Sequence, residues 1–149
     1  MSRVTEICSQ LRDQGRRLTP QRQAIIQALS RECSHPKADE VLRTVRERMP
    51  DISAATVYNT LNELVEMDLL AEVLSVRGER RYDANLDQHD HMVCIVCGHI
   101  EDVPSNGSIS HLLPQESRGF EIIGHRLVFL GYCPACSRDT HNAMENKEN

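Results

Sequence analysis

Apolar residues recur every three to four positions through the first third of the chain and every second position in much of the rest. Val4, Ile7, Cys8 and Leu11 mark one face of a helix, and Gly15 follows where a C-terminal cap is needed. Thr19-Pro20 has the form of an N-cap and a first helical residue, and Ala24, Ile25, Ala28 and Leu29 continue a second helix. Ser34-His35-Pro36 breaks the pattern. Ala38, Val41, Leu42, Val45 and Met49 predict a third amphipathic helix, stopped by Pro50. Ser53 is placed to cap a fourth, Ser53–Met67, with Val57, Leu61, Leu64 and Val65 on its core face. Leu70 to Val76 and Arg80 to Asp83 alternate around Arg77-Gly78-Glu79, which predicts a hairpin.

Short helices followed by one hairpin are the element order of a winged helix-turn-helix, expected over residues 1–84. The polar residues 85–88, Asn85 to Gln88, read as a hinge. A second domain is expected over residues 89–137. There Met92 to Ile95 and Ile100 to Val103 form short strands around Cys97-Gly98, and Ser105-Asn106-Gly107 is a loop. Ile109 to Glu116 is a helix limited by Pro114, and Glu121 to Tyr132 is a strand bent at Gly124 and Gly131. The polar residues 138–149 read as a disordered tail. The fold class is therefore α+β.

Composition adds two constraints. Aromatic residues are 3 % of the 149 and Trp is absent, so core volume must come from Leu, Ile and Val in several small cores. The net charge of −5 is uneven: residues 1–82 hold 13 basic against 12 acidic side chains, and residues 83–149 hold 4 against 10. Within residues 1–31 the ratio is 6 to 2, which fits either a nucleic-acid-binding face or an ordinary solvated surface. No run of 18 apolar residues exists, so no membrane span is expected. Met1 to Glu6 lack the features of a secretion signal, and the expected location is cytoplasmic. Thiols there stay reduced.

Four of the six cysteines form two pairs, Cys94-x-x-Cys97 and Cys133-x-x-Cys136. Two thiolates three positions apart on a tight turn bind one side of a tetrahedral ion, and a second pair closes the shell. Gly98 and Pro134 suit such turns. The 35 residues between the pairs exceed a compact zinc ribbon, so the site would staple distant strands. A complete thiolate shell leaves no open position, which argues for structural zinc over redox dithiols or buried apolar cysteines. Cys8 falls on an apolar helix face and reads as core; Cys33 has no assignment.

His89-x-His91 precedes the first pair. In a strand, residues i and i+2 point the same way, so both imidazoles can reach one ion. Asp83 lies six residues upstream of His89, Asp102 lies eleven downstream of His91, and His35 sits in the break between two helices. Mixed nitrogen and oxygen donors suit Fe(II), Mn(II) or Zn(II). The same donors would also serve a zinc-dependent hydrolase, although no H-E-x-x-H pairing is present.

Four stretches in order carry a resemblance: Leu18-Thr19-Pro20-Gln21-Arg22, Ile52 to Leu61, His89 to Gly98, and Gly131 to Cys136. Over roughly residues 4–136 the chain resembles the ferric-uptake-regulator (Fur) family. The resemblance implies a winged-helix DNA-binding domain followed by a small α/β dimerisation domain with a four-cysteine zinc site. It implies a homodimeric, metal-dependent repressor of double-stranded DNA with a near-palindromic operator. The family's regulatory ligand pattern falls on His35, Asp83, His89, His91 and Asp102, for Fe(II) or Mn(II). Asp102 is similar to the peroxide-sensing (PerR-type) branch, where the iron-sensing branch tends to have Glu. That branch implies oxidation of a ligand histidine, His35 or His89. An iron- or zinc-sensing repressor is the alternative. A third metal site would fall on Asp90 and His125, with no obvious further ligand beyond Gln88, Ser110 and His111 nearby. The fourth helix would enter the major groove with Ala54, Ala55, Thr56, Tyr58 and Asn59 nearest the bases, while Arg16, Arg17, Arg22 and the hairpin's Arg77 meet phosphates.

Overall fold

The computed structural model describes residues 3–31, 35–74, 76, 78–105, 118–123 and 125–138. The chain divides into two compact units, Met1–Asp87 and Gln88–Asn149.

In the first unit four helices precede a two-stranded hairpin. Helix α1 (Arg3–Asp13) buries Ile7, Cys8 and Leu11. It closes as a Schellman turn: Gly15, at φ +73°, donates to Arg12 O at 2.9 Å, and Arg16 N–H donates to Leu11 O at 2.9 Å. Helix α2 (Pro20–Arg31) starts where Thr19 Oγ1 accepts the Arg22 N–H at 3.2 Å. Helix α3 (Ala38–Arg46) starts where the Glu40 carboxylate accepts the Lys37 N–H at 2.8 Å. It ends a turn earlier than the apolar pattern suggests, and Met49 still packs against the core from the following turn.

Helix α4 (Ala54–Glu66) is capped by Ser53, whose hydroxyl accepts the Thr56 N–H at 3.0 Å. Its end needs a left-handed residue, and Asp68 supplies it at φ +56°, so that Leu69 N–H reaches Leu64 O at 2.9 Å. The core of this unit gathers Leu11, Ile25, Ile26, Val41, Val57, Leu61 and Leu64, all essentially without solvent exposure. Each large apolar side chain so enclosed contributes about 1.5–3 kcal/mol. Strands β1 (Ala71–Leu74) and β2 (Arg80–Asp83) pair antiparallel from Ala71↔Asp83 to Leu74↔Arg80. Tyr82 turns inward from β2 and joins the helical core.

The second unit is a three-stranded sheet in the order β4-β3-β5, made of β3 (His89–Cys94), β4 (Ile100–Pro104) and β5 (Val128–Gly131). β3 pairs antiparallel with β4, placing His91 opposite Asp102, and parallel with β5, placing Cys94 opposite Gly131. β3 begins at His89, three residues before the predicted start at Met92. The predicted strand from Glu121 to Tyr132 is shorter than expected: only Val128–Gly131 is strand, because pairing with β3 begins at the His91↔Val128 register. Residues 134–138 form a single helical turn after β5. The predicted helix over Ile109 to Glu116, the residues Cys33, Arg77 and Gly124, and the tail from 139 onward lie outside the described residues. Among the described residues no helix is long and apolar enough to cross a membrane.

Candidate metal centres and nucleic-acid surface

The parallel pairing of β3 with β5 explains how two cysteine pairs far apart in sequence meet. Cys94 ends β3 beside Gly131, the last residue of β5, and Cys133 follows two residues later. Each pair sits on its own tight turn. Gly98, at φ +75°, donates its N–H to Cys94 O at 2.9 Å, and Ser137 N–H reaches Cys133 O at 2.8 Å. The four sulfurs of Cys94, Cys97, Cys133 and Cys136 lie within 4.8 Å of one another. Cys97 Sγ and Cys133 Sγ are 3.7 Å apart. Four thiolates about 2.3 Å from a tetrahedral zinc would stand about 3.8 Å from each other, so the spacing fits that ion.

The thiols of Cys94 and Cys136 are perturbed in opposite directions. Backbone N–H groups of Cys97 and Cys133 stabilise the Cys94 thiolate and lower its pKa to about 6. The hydrogen bond to Cys133, reinforced by burial and the other sulfurs, pushes Cys136 up to about 12. A cluster that accommodates one negative sulfur and resists another is a cluster a divalent cation would complete. Cys8, by contrast, is buried with its thiol pKa raised chiefly by that burial, which suits a packing role.

The mixed donors form two groups, one in each unit. In the second unit β3 presents His89 and His91 on one face, with their Nε2 atoms 3.0 Å apart. Asp102 Oδ1 lies 3.4 Å from His89 Nε2 and 3.8 Å from His91 Nε2, delivered by the β3–β4 register. Two imidazole nitrogens about 2.1 Å from one ion at a right angle stand about 3 Å apart, so this pair also has metal-ligand spacing. In the first unit His35 and Asp83 are both buried, with Nε2 and Oδ2 3.7 Å apart. The second oxygen of Asp83 accepts the Asn85 N–H at 2.7 Å.

The segment carrying His35 is fastened to the hairpin. Tyr82 N–H donates to Pro36 O at 3.0 Å, Arg81 donates to His35 O at 3.2 Å, and Lys37 Nζ pairs with Glu79 at 2.7 Å. His35 and Asp83 therefore stand on the seam between the hairpin and the first turn of α3.

The third predicted centre falls only in part on described residues. Asp90 is buried, and its carboxylate accepts the Leu127 N–H at 3.4 Å. His125 has a buried Nε2 with no hydrogen-bond partner among the described residues. The groups of three or more donors found among those residues include neither, and Ser110 and His111 lie outside them.

On the first unit, Ala54, Ala55, Tyr58 and Asn59 are exposed along the N-terminal half of α4, and Thr56 is half-buried. The Thr56 hydroxyl lies 2.8 Å from Ser53 Oγ. Tyr58 donates its phenolic proton to Asp39 Oδ1 of α3 at 2.9 Å. Arg16 and Arg17 are exposed, whereas Arg22 is half-buried and donates to Arg17 O at 2.7 Å. Glu63 of α4 pairs with Arg22 at 2.5 Å and with Arg16 at 3.5 Å. Arg22 and Glu63, with Thr19, Gln21, Thr56 and Asn59, line a cleft of about 340 Å³ between the start of α2 and α4. Asp39 and Glu63 carry contacts that sequence reasoning missed, since their partners lie 19 and 41 residues away and no local pattern announces them.

Comparison with known proteins adds relatives to this geometry. The model of the ferric uptake regulator family matches residues 13–130. The chain is 35 % identical over 138 residues to the peroxide-responsive repressor PerR of Staphylococcus epidermidis, covering 91 % of each protein. Its fold resembles the Campylobacter jejuni peroxide stress regulator with a TM-score of 0.65 at 27 % identity, covering 91 % of this chain and 100 % of that one. It resembles the Helicobacter pylori ferric uptake regulator Fur with a TM-score of 0.74, covering 90 % and 93 %; at 22 % identity that likeness is one of fold.

Proposed function

The chain belongs to the ferric uptake regulator family, and from that premise we propose that it is a homodimeric, metal-responsive DNA-binding repressor released by peroxide. The observation that carries the reading is the divided donor set: His89, His91 and Asp102 converge in one unit, and His35 pairs with Asp83 in the other. Together these five residues would hold one regulatory Fe(II) or Mn(II), while Cys94, Cys97, Cys133 and Cys136 hold structural zinc. The family match favours this regulator over a hydrolase built on the same histidines and aspartates.

Each half of the donor set has a task. His35 and Asp83 tie the hairpin to the start of α3, so drawing them together steadies the DNA-binding unit. His89, His91 and Asp102 belong to the sheet, so a common ion would set the angle between the units and with it the spacing of two reading heads in a dimer. DNA would then tighten metal binding by the same factor that metal tightens DNA binding. Turning such a switch from mostly off to mostly on takes roughly 5.5 kcal/mol of differential affinity.

Dimer formation is supported by β5, an edge strand among the described residues, whose Val128, Phe129 and Leu130 are all exposed. An apolar edge of this kind calls for a partner. A two-fold dimer would read a near-palindromic operator with α4 in successive major grooves. Ala54, Ala55, Thr56, Tyr58 and Asn59 would face the bases. Arg16, Arg17, Arg22 and Arg77 would meet phosphates, the first and third after exchanging Glu63 for the backbone.

Peroxide sensing is supported by the relatives named peroxide-responsive repressor and by Asp102 in the ligand set. Bound Fe(II) would supply an electron to peroxide beside the imidazoles, chemistry that Mn(II) supplies far less readily. Addition of one oxygen to His35 or His89 would weaken that nitrogen as a donor and release the two halves of the set. Mass spectrometry of the Fe(II)- and Mn(II)-loaded protein after peroxide, with operator binding measured in parallel, tests this. A gain of one oxygen on His35 or His89 in the iron form alone, with loss of DNA binding, is the expected result. DNA binding that survives without any such adduct would leave an iron-sensing repressor in its place.

A further inference from the structure

On the surface assigned to DNA, Asp39 is an anomaly. It is exposed in the first turn of α3, where an acid favours the helix but repels phosphate. Among the described residues no basic side chain pairs with it. Its recorded partner is Tyr58, whose hydroxyl donates to Asp39 Oδ1 at 2.9 Å across the packed α3–α4 pair. That hydrogen bond also raises the phenol pKa and keeps the proton on Tyr58.

A phenol has a single proton. While that proton is engaged in the hydrogen bond to Asp39, the Tyr58 oxygen faces outward as an acceptor only. In the major groove adenine pairs its N7 acceptor with an amino donor, cytosine presents an amino donor and thymine presents a methyl group beside its O4 acceptor, whereas guanine presents only acceptors, N7 and O6. We propose that Asp39 is a specificity-determining positioning residue: by accepting the hydrogen bond of the Tyr58 hydroxyl it leaves the phenol oxygen an acceptor that rejects guanine in each half-site.

The inference rests on the reading of α4 as the DNA-recognition helix and names what that helix selects. Replacing Asp39 by Asn keeps the size but removes the charge. The new amide can donate to the phenol oxygen and free its proton to point at DNA. A guanine under Tyr58 would then find a donor.

The experiment is selection from a pool of duplexes with randomised half-sites, using the full-length Mn(II)-loaded protein. Wild type, Asp39→Asn, Tyr58→Phe and the double variant are compared, and their dimer and metal content are checked first. The wild type should show one position in each half-site from which guanine is excluded, by roughly 5- to 150-fold. Asp39→Asn and Tyr58→Phe should each relax that one position by at least about fivefold, and the double variant should relax it no further. Removing the acid should also tighten binding to random duplexes, so the ratio of operator to random affinity falls for two reasons. A base profile unchanged in Asp39→Asn, with only a uniform change in affinity, would reduce Asp39 to a surface acid and overturn the proposal. Enrichment of no sequence by the wild type would overturn the repressor reading itself, and the proposal with it.

Discussion

In Met1–Asp87 four helices and the inner face of a hairpin enclose a continuous apolar cluster running from Ile7 to Tyr82. In Gln88–Asn149 the buried apolar side chains among the described residues are Val93, Cys94 and Ile100, while Met92, Phe120, Ile122, Ile123, Phe129, Leu130 and Tyr132 stay exposed. The first unit thus removes its apolar surface from water by itself. Among its described residues the second buries little apolar surface and gathers four thiols at the joined ends of β3 and β5. The difference teaches where stability should be sought: in side-chain packing on one side, in a metal staple and a partner surface on the other.

The sharpest way to break this comparison is to remove one thiolate. Cys133→Ser should abolish tight zinc binding, with structural zinc contributing on the order of 10–16 kcal/mol to such folds. Zinc content and sedimentation should show metal loss and monomers, while circular dichroism keeps the helical signal of the first unit. Retention of full zinc and a normal dimer would remove the staple from the account.

Leu61→Ala addresses the other unit. Leu61 is fully buried at the centre of the helical cluster, and its truncation should cost about 2–5 kcal/mol. Urea unfolding followed at helical wavelengths should shift accordingly with zinc content unchanged. A concerted loss of zinc would mean that the two units do not stabilise themselves separately.

A smaller effect is expected from Phe129→Ala on β5, which leaves the cysteines in place. If β5 is the dimer face, dissociation should become easier by about 2 kcal/mol or more, read as a shift in the sedimentation profile at constant zinc. An unchanged dissociation constant would move the partner surface away from this strand.

Much of the first unit was legible because its determinants are local. Thr19-Pro20, Ser53 and Gly15 punctuate helices through hydrogen bonds that span three to five residues, and a 3.6-residue apolar period announces the face that Leu11, Val41 and Leu61 bury. The helix ends were less legible. Asp68 closes α4 in a left-handed conformation usually left to glycine, and α3 stops at Arg46 although Met49 still points to the core. In the second unit the strand over Glu121 to Tyr132 was overestimated, since strand length follows from the partner available and not from alternation alone.

The chemistry divides along the same line. The sequence by itself determined the donors: two C-x-x-C pairs whose thiols suit zinc, and His89-x-His91, whose spacing in an extended chain points both rings one way. Tertiary structure alone decided which donors meet. The parallel register Cys94↔Gly131 joins cysteine pairs separated by 35 residues, and the antiparallel register His91↔Asp102 brings a carboxylate to the two imidazoles. The packing of α3 on α4 likewise gives Tyr58 to Asp39, and that of α2 on α4 gives Arg22 to Glu63. Side-chain periodicity reports only on near neighbours along the chain, whereas these contacts depend on backbone pairing and helix packing between segments whose separation no local pattern encodes.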